Sequence, residues 1–198
     1  MMKTPLFLLS LFTLISCNNS SENPSDVSEP APTEEPEDLS YLALGDSYTI
    51  GESVEPSLRW PVQLVEELRE RGVPIDYPKI IARTGWTTQD LLKAMDEQLT
   101  DEKYDLVSVL IGVNNQYQGK PIEAYEEDLR VIFQRAISHS ERGSDGVFAV
   151  SIPDYGATPF GAANSEEIAQ EIKAFNEVFK KVTSEFEIDF YNITQISK

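Results

Sequence analysis

A chain of 198 residues with 34 Asp and Glu against 16 Lys and Arg carries a formal net charge of −18. That balance argues against nucleic acid and against electrostatic adhesion to anionic lipid, so any membrane attachment should come through Cys17. The single cysteine, Cys17, excludes a disulfide within the chain.

Lys3 precedes an apolar run from Leu6 to Ile15. The run is too short to span a bilayer, which takes about 20 residues, and matches the core of a signal peptide over residues 1–16. It ends in Leu14-Ile15-Ser16-Cys17, which resembles a bacterial lipobox. The resemblance implies lipidation of Cys17 and a lipid-anchored location in the bacterial cell envelope. The alternatives are a plain secretory signal with an incidental cysteine, or an anchor left uncleaved. Residues 17–40 read as a tether, rich in Ser, Pro, Glu and Asp and free of aromatics. Such a segment cannot bury enough apolar surface to offset its ordering entropy, so a disordered acidic spacer is expected. Residues 41–198 then form one domain with a single core.

That domain alternates between strand and helix patterns. Tyr41 to Leu44 reads as a first buried strand, followed by Gly45-Asp46-Ser47-Tyr48-Thr49-Ile50-Gly51. Trp60, Leu64, Val65 and Leu68 recur at helical spacing, with Pro61 in the first turn and Gly72 as the stop. Tyr77–Ala82 is a second strand. Thr87 and Asp90 form a capping box that opens a helix through Leu91, Leu92 and Met95. Leu106–Ile111 is a third strand, apolar enough to be buried on both faces. Ile122, Tyr125, Leu129, Ile132, Phe133 and Ala136 stripe a long helix. Val147–Ile152 is a fourth strand, and Ile168, Ile172, Phe175, Phe179 and Val182 stripe another helix. Phe186, Ile188 and Phe190 alternate with polar partners as a fifth strand. The economical fold is an α/β sandwich of three layers, with a parallel five-stranded sheet between helices.

Ligands of such sheets bind outside the carboxyl ends of the strands. Three polar, glycine-containing stretches occupy those ends: Gly45-Asp46-Ser47, Arg83-Thr84-Gly85-Trp86 and Gly112-Val113-Asn114-Asn115-Gln116. Each alone is ordinary loop chemistry. Together they supply a Ser hydroxyl, an unhindered Gly N–H and an Asn amide, the set that acyl transfer uses. Tyr48, Trp86 and Tyr117 are candidates to line an acyl or sugar pocket, although such aromatics are as often core.

In these three blocks the sequence resembles the SGNH (GDSL-type) hydrolases. The resemblance implies a flavodoxin-like α/β/α sandwich and hydrolysis of a small ester through Ser47, with no cofactor and no metal. The backbone N–H groups of Ser47 and Gly85 and the side chain of Asn114 would form the oxyanion hole. Asn115 stands where the family more often has Asp. A larger departure concerns the base, which the family carries in an Asp-x-x-His segment after the last strand. No Asp-x-x-His occurs in these 198 residues, and their one histidine, His139, falls at the end of a long helix. There it serves a helix C-terminus rather than a serine. Asp154, beside Pro153, reads as a turn residue. A fold lacking its last helix, incomplete at the C-terminal side, is therefore expected, with part of the core uncovered. Two functions remain open: an ester hydrolase with an impaired triad, and an inactive surface lipoprotein that keeps the cleft as a binding module.

Overall fold

The computed structural model describes residues 37–196, so the signal segment, Cys17 and most of the tether lie outside the described residues. Five strands form the sheet: β1 (Tyr41–Gly45), β2 (Lys79–Ala82), β3 (Leu106–Leu110), β4 (Val147–Val150) and β5 (Asp189–Tyr191). All pairings are parallel and the order is β2-β1-β3-β4-β5. The helices are α1 (Ser47–Ile50), α2 (Trp60–Glu70), α3 (Thr88–Gln98), α4 (Val113–Tyr117), α5 (Ile122–Ser138) and α6 (Ser165–Glu185).

Alternation along each strand sends side chains to two unlike faces. Leu42, Leu44, Val107 and Val109 meet the apolar stripes of α3, α5 and α6 in the larger core, where Phe133 and Phe179 stack 5.8 Å apart. On the other face, Tyr41 and Ala43 pack against Leu64, Val65 and Leu68 of α2. Beyond α2 this face opens into an apolar groove of about 650 Å³ over β3–β5, lined by Trp60, Leu106, Leu110, Phe148 and Tyr191 among others.

Local differences from the expected boundaries have simple causes. The order begins before Tyr41. Leu39 pairs with Ile75 as an isolated parallel bridge, and the Ser40 N–H donates to Asp105 at 2.8 Å, so these two residues belong to the domain and not to the tether. The second strand starts at Lys79 and not Tyr77, since Pro78 has no N–H to give a ladder. The fifth strand is shorter still. Phe186 stands four residues after Val182 and continues the stripe of α6 as its C-cap, and Glu187 then turns through φ +57°. An alternating Phe-Ile-Phe pattern fits a helix end as well as a strand, and the helix takes it. The capping box is formed as read: the Thr87 side chain accepts from the backbone, and Asp90 accepts from the Thr87 N–H at 2.9 Å.

Candidate active site

The strand order reverses between β1 and β3, and in open parallel sheets that switch point is where a crevice forms. Its two flanks are the loops that end β1 and β3. Ser47 is the first residue of α1, directly after the N-cap Asp46. Asn114 is the second residue of α4, directly after Gly112 and Val113. Both line one cleft of about 290 Å³, together with Tyr48, Tyr117, Tyr155 and Phe160.

Asp46 is wholly buried beside the half-buried Ser47. Its Oδ1 accepts the Tyr48 N–H at 3.0 Å, while Oδ2 has no partner among the described residues. Burial pushes its carboxyl up to about 7, against the N–H groups of Tyr48, Gly112 and its own backbone, which favour the anion. Burial, with the charges of Asp46, Tyr155 and Asp154, pushes the Tyr48 hydroxyl up to about 12, so Tyr48 stays a neutral phenol in the cleft.

Glycine is required at Gly112. Its φ is +130°, and a Cβ there would sit 2.7 Å from the Tyr125 ring and hydroxyl and 2.9 Å from Ile152. At Gly85 the reason is conformation alone, for φ is +86° and a Cβ would meet nothing within 4 Å. Gly85 occupies the same carboxyl edge, in the loop between β2 and α3, but it does not line the cleft. The structure thus brings Ser47 and Asn114 together and leaves Gly85 beside them. What joins the two is Asn114, whose Nδ2 donates to the Trp86 carbonyl at 2.8 Å. That bond uses one amide hydrogen of two. Trp86 itself packs against the larger core and does not line the cleft, whereas Tyr48 and Tyr117 do.

Asn115 is more than a variant residue. It is buried, its Oδ1 accepts the Thr88 N–H at 3.0 Å, and its Nδ2 donates to the Thr88 hydroxyl at 2.7 Å. That hydroxyl donates in turn to Asp128 of α5 at 2.6 Å. The network pins the loop after β3 to the start of α3, and so holds the loops of Asn114 and Gly85 in one frame.

Asp154 is buried and caps a single 3-10 turn, Tyr155–Ala157, by accepting the Gly156 N–H at 3.0 Å, as a turn residue should. His139 is the C-cap of α5. Its Nδ1 donates to the Glu102 carbonyl at 2.9 Å, and its own carbonyl accepts the Tyr104 N–H. Tyr104 precedes β3, whereas Ser47 follows the strand whose end, Gly45, pairs with Leu110. At ~3.3 Å per residue of strand, the imidazole lies about 20 Å from Ser47, at the opposite edge of the sheet. Tyr155, Phe160 and Gln116 were not singled out by the sequence pattern. The signal that could have found the first two is an aromatic pair in the long Gly- and Pro-containing loop after β4.

A five-stranded parallel sheet in this order, with helices on both faces, is a flavodoxin-like α/β sandwich, and here it carries a serine-bearing cleft at the switch point. The chain belongs to the GDSL-like lipase/acylhydrolase family, whose model matches residues 43–197. Among solved structures it is similar to AlinE4, described as an SGNH-hydrolase family esterase, at 19% identity and TM-score 0.64, covering 83% of this chain and 82% of that one. It is similar to TesA at 20% identity and TM-score 0.59, covering 77% of each chain. A lipase/acylhydrolase from Enterococcus faecalis is 23% identical with TM-score 0.60, covering 80% of this chain and 77% of that one. No curated protein matches the sequence.

Proposed function

We propose that the chain is a serine ester hydrolase acting on small acyl or acetyl esters, or on lysophospholipid-like esters, with Ser47 as nucleophile. The observation that carries this reading is the shared cleft of Ser47 and Asn114 at the switch point. Ser47 Oγ attacks the ester carbonyl carbon, and the alcohol leaves with the transferred proton. Water then releases the acid from the acyl-serine. The N–H of Ser47 and the free amide hydrogen of Asn114 receive the developing oxyanion, while Gly85 stays in the adjoining loop, outside the cleft lining. No histidine of the 198 residues is within reach to take the Oγ proton, because His139 occupies the far edge. Turnover by these residues alone is accordingly slow. The second reading, an inactive lipoprotein that keeps the cleft to bind, is favoured by that same position of His139.

The deciding experiment is hydrolysis of p-nitrophenyl acetate by the purified chain beside Ser47→Ala. A slow rate lost on substitution supports the hydrolase; identical rates in both leave the binding module. The lipobox-like Leu14–Cys17 supports anchoring through Cys17 to the bacterial envelope, with residues 18–38 as the tether. Expression in a bacterial host should then give a membrane-bound form that Cys17→Ala releases or leaves unprocessed. A soluble mature chain starting elsewhere than Cys17 would overturn it.

A further inference from the structure

Three aromatic rings stand at the mouth of the Ser47 cleft. Tyr117, from the end of α4, and Tyr155 and Phe160, from the loop after β4, touch pairwise with centroids 6.1–6.3 Å apart. Their planes are inclined by 41°, 44° and 72°, so the faces do not close into a flat stack. Two of the rings are open to water, Tyr117 at 60% and Phe160 at 74% exposure. Rings held together in contact yet left wet beside a cleft form a surface for a ligand.

The same three rings also wall a second cavity of about 420 Å³, which lies next to the first. Its remaining polar lining is rich in acceptors. Glu167 and Glu171 reach it from the first turns of α6, and Gln116 from α4. Gln116 is more than nine-tenths buried. Its Nε2 donates to Glu171 at 2.6 Å, which fixes the amide orientation because a carboxylate accepts. Its Oε1 then has no partner among the described residues. Neither Lys nor Arg lines this cavity. Two carboxylates and three ring faces attract positive charge, the Gln116 carbonyl oxygen lies just beneath the surface, and no cationic side chain opposes them, which suits an organic cation.

We propose that this second cavity is the subsite for the cationic group of an ester substrate, an alkylammonium alcohol such as choline, whose acyl group lies over Ser47. The assignment rests on the hydrolase reading of Ser47 for its chemistry but not for its binding. In the reaction the acyl C–O bond breaks, the alcohol oxygen takes a proton, and water supplies hydroxyl to the acyl carbon. The released alcohol keeps its positive charge and leaves over the rings. A sugar alcohol would also stack on aromatic faces, but it would leave the two carboxylates without a counter-charge.

The test compares choline with its uncharged isostere 3,3-dimethylbutan-1-ol by calorimetry, on the full chain and on Ser47→Ala. Choline should bind about ten-fold more tightly than the isostere in both. Phe160→Leu, an exposed position that keeps apolar bulk, should remove most of that ratio, and Glu171→Gln should cut it a few-fold. Glu67→Gln, on α2 at the other face, should leave it unchanged, which separates the cavity from the general negative field. Equal binding of the two probes, or a ratio that survives Phe160→Leu, overturns the subsite. Glucose binding in place of choline overturns it too, in favour of a carbohydrate site. Choline binding without any Ser47-dependent ester hydrolysis upholds the subsite while the hydrolase reading fails. Hydrolysis of p-nitrophenyl acetate without choline binding does the reverse.

Discussion

The two edges of this sheet are built from the same strands and reach opposite chemical ends. At the carboxyl edge, loops leave buried polar groups only partly satisfied: Asp46 and Gln116 each keep an oxygen without a partner among the described residues, and Ser47 faces a cleft. The amino edge satisfies its polar groups. There Ser40 and Asp105 bond to each other, and His139 and Tyr104 bond into the backbone of neighbouring segments. A reactive side-chain type at the second edge is spent on structure, while an ordinary one at the first is left available. Position relative to the strand direction therefore decides which polar residue can do chemistry, more than residue type does.

The largest way to test that contrast is to bring an imidazole to the carboxyl edge. An added C-terminal segment carrying Asp-x-x-His from a relative should raise hydrolysis of an activated ester by up to roughly 10⁶. Ser47→Ala in the same protein should cancel the gain. A rise that persists without Ser47 would break the assignment.

Next in size is the buried carboxyl of Asp46. Its folded value of about 7 lies above the ordinary 3.8, so the folded chain holds its proton more tightly than the unfolded one. The neutral carboxyl contributes stability that is full below pH ~4 and is lost as the pH rises through about 7. Three units at 1.36 kcal/mol each make the loss about 4 kcal/mol. Urea unfolding from pH 4 to 8 should show that decline, and Asp46→Asn should flatten it. A variant with an unchanged slope would remove Asp46 from the account.

Asn114→Ala, in a version that has its imidazole, should cost about 3 kcal/mol of transition-state stabilisation, read in kcat/KM with little change in KM. Equal loss through KM alone would make Asn114 a binding group. Smallest of all is His139→Ala. It should leave hydrolysis unchanged, and its stability effect should stay near 1 kcal/mol, the worth of one hydrogen bond. An activity loss there would bring the two edges back into contact and overturn the contrast.

What the sequence disclosed follows the range of the interactions involved. The capping box at Thr87 and Asp90, the strand cores and the place of Ser47 just after the first strand are local, set within a few residues, and they read correctly. The parallel sense of the five strands also followed, because alternating strands and helices make each connection a crossover. The start of β5 did not, since Phe186 satisfies a helical and a strand period equally. Trp86 looked like a cleft residue by its place in a loop, yet its ring turns into the core. Asn115 looked like a neutral variation, and its bond to Thr88 appears only when β3 is set beside the start of α3. The ring cluster of Tyr117, Tyr155 and Phe160 likewise joins two loops that no periodicity connects.

The flanking strands have a consequence for crowding. On one side β2 begins after Pro78 and carries Lys79; on the other β5 has three residues and begins with Asp189. Short, charged, proline-guarded flanks give a neighbouring copy little ladder to extend. Copies held at high density can therefore brush past one another without zipping into a shared sheet, even though an apolar groove lies open next to β5.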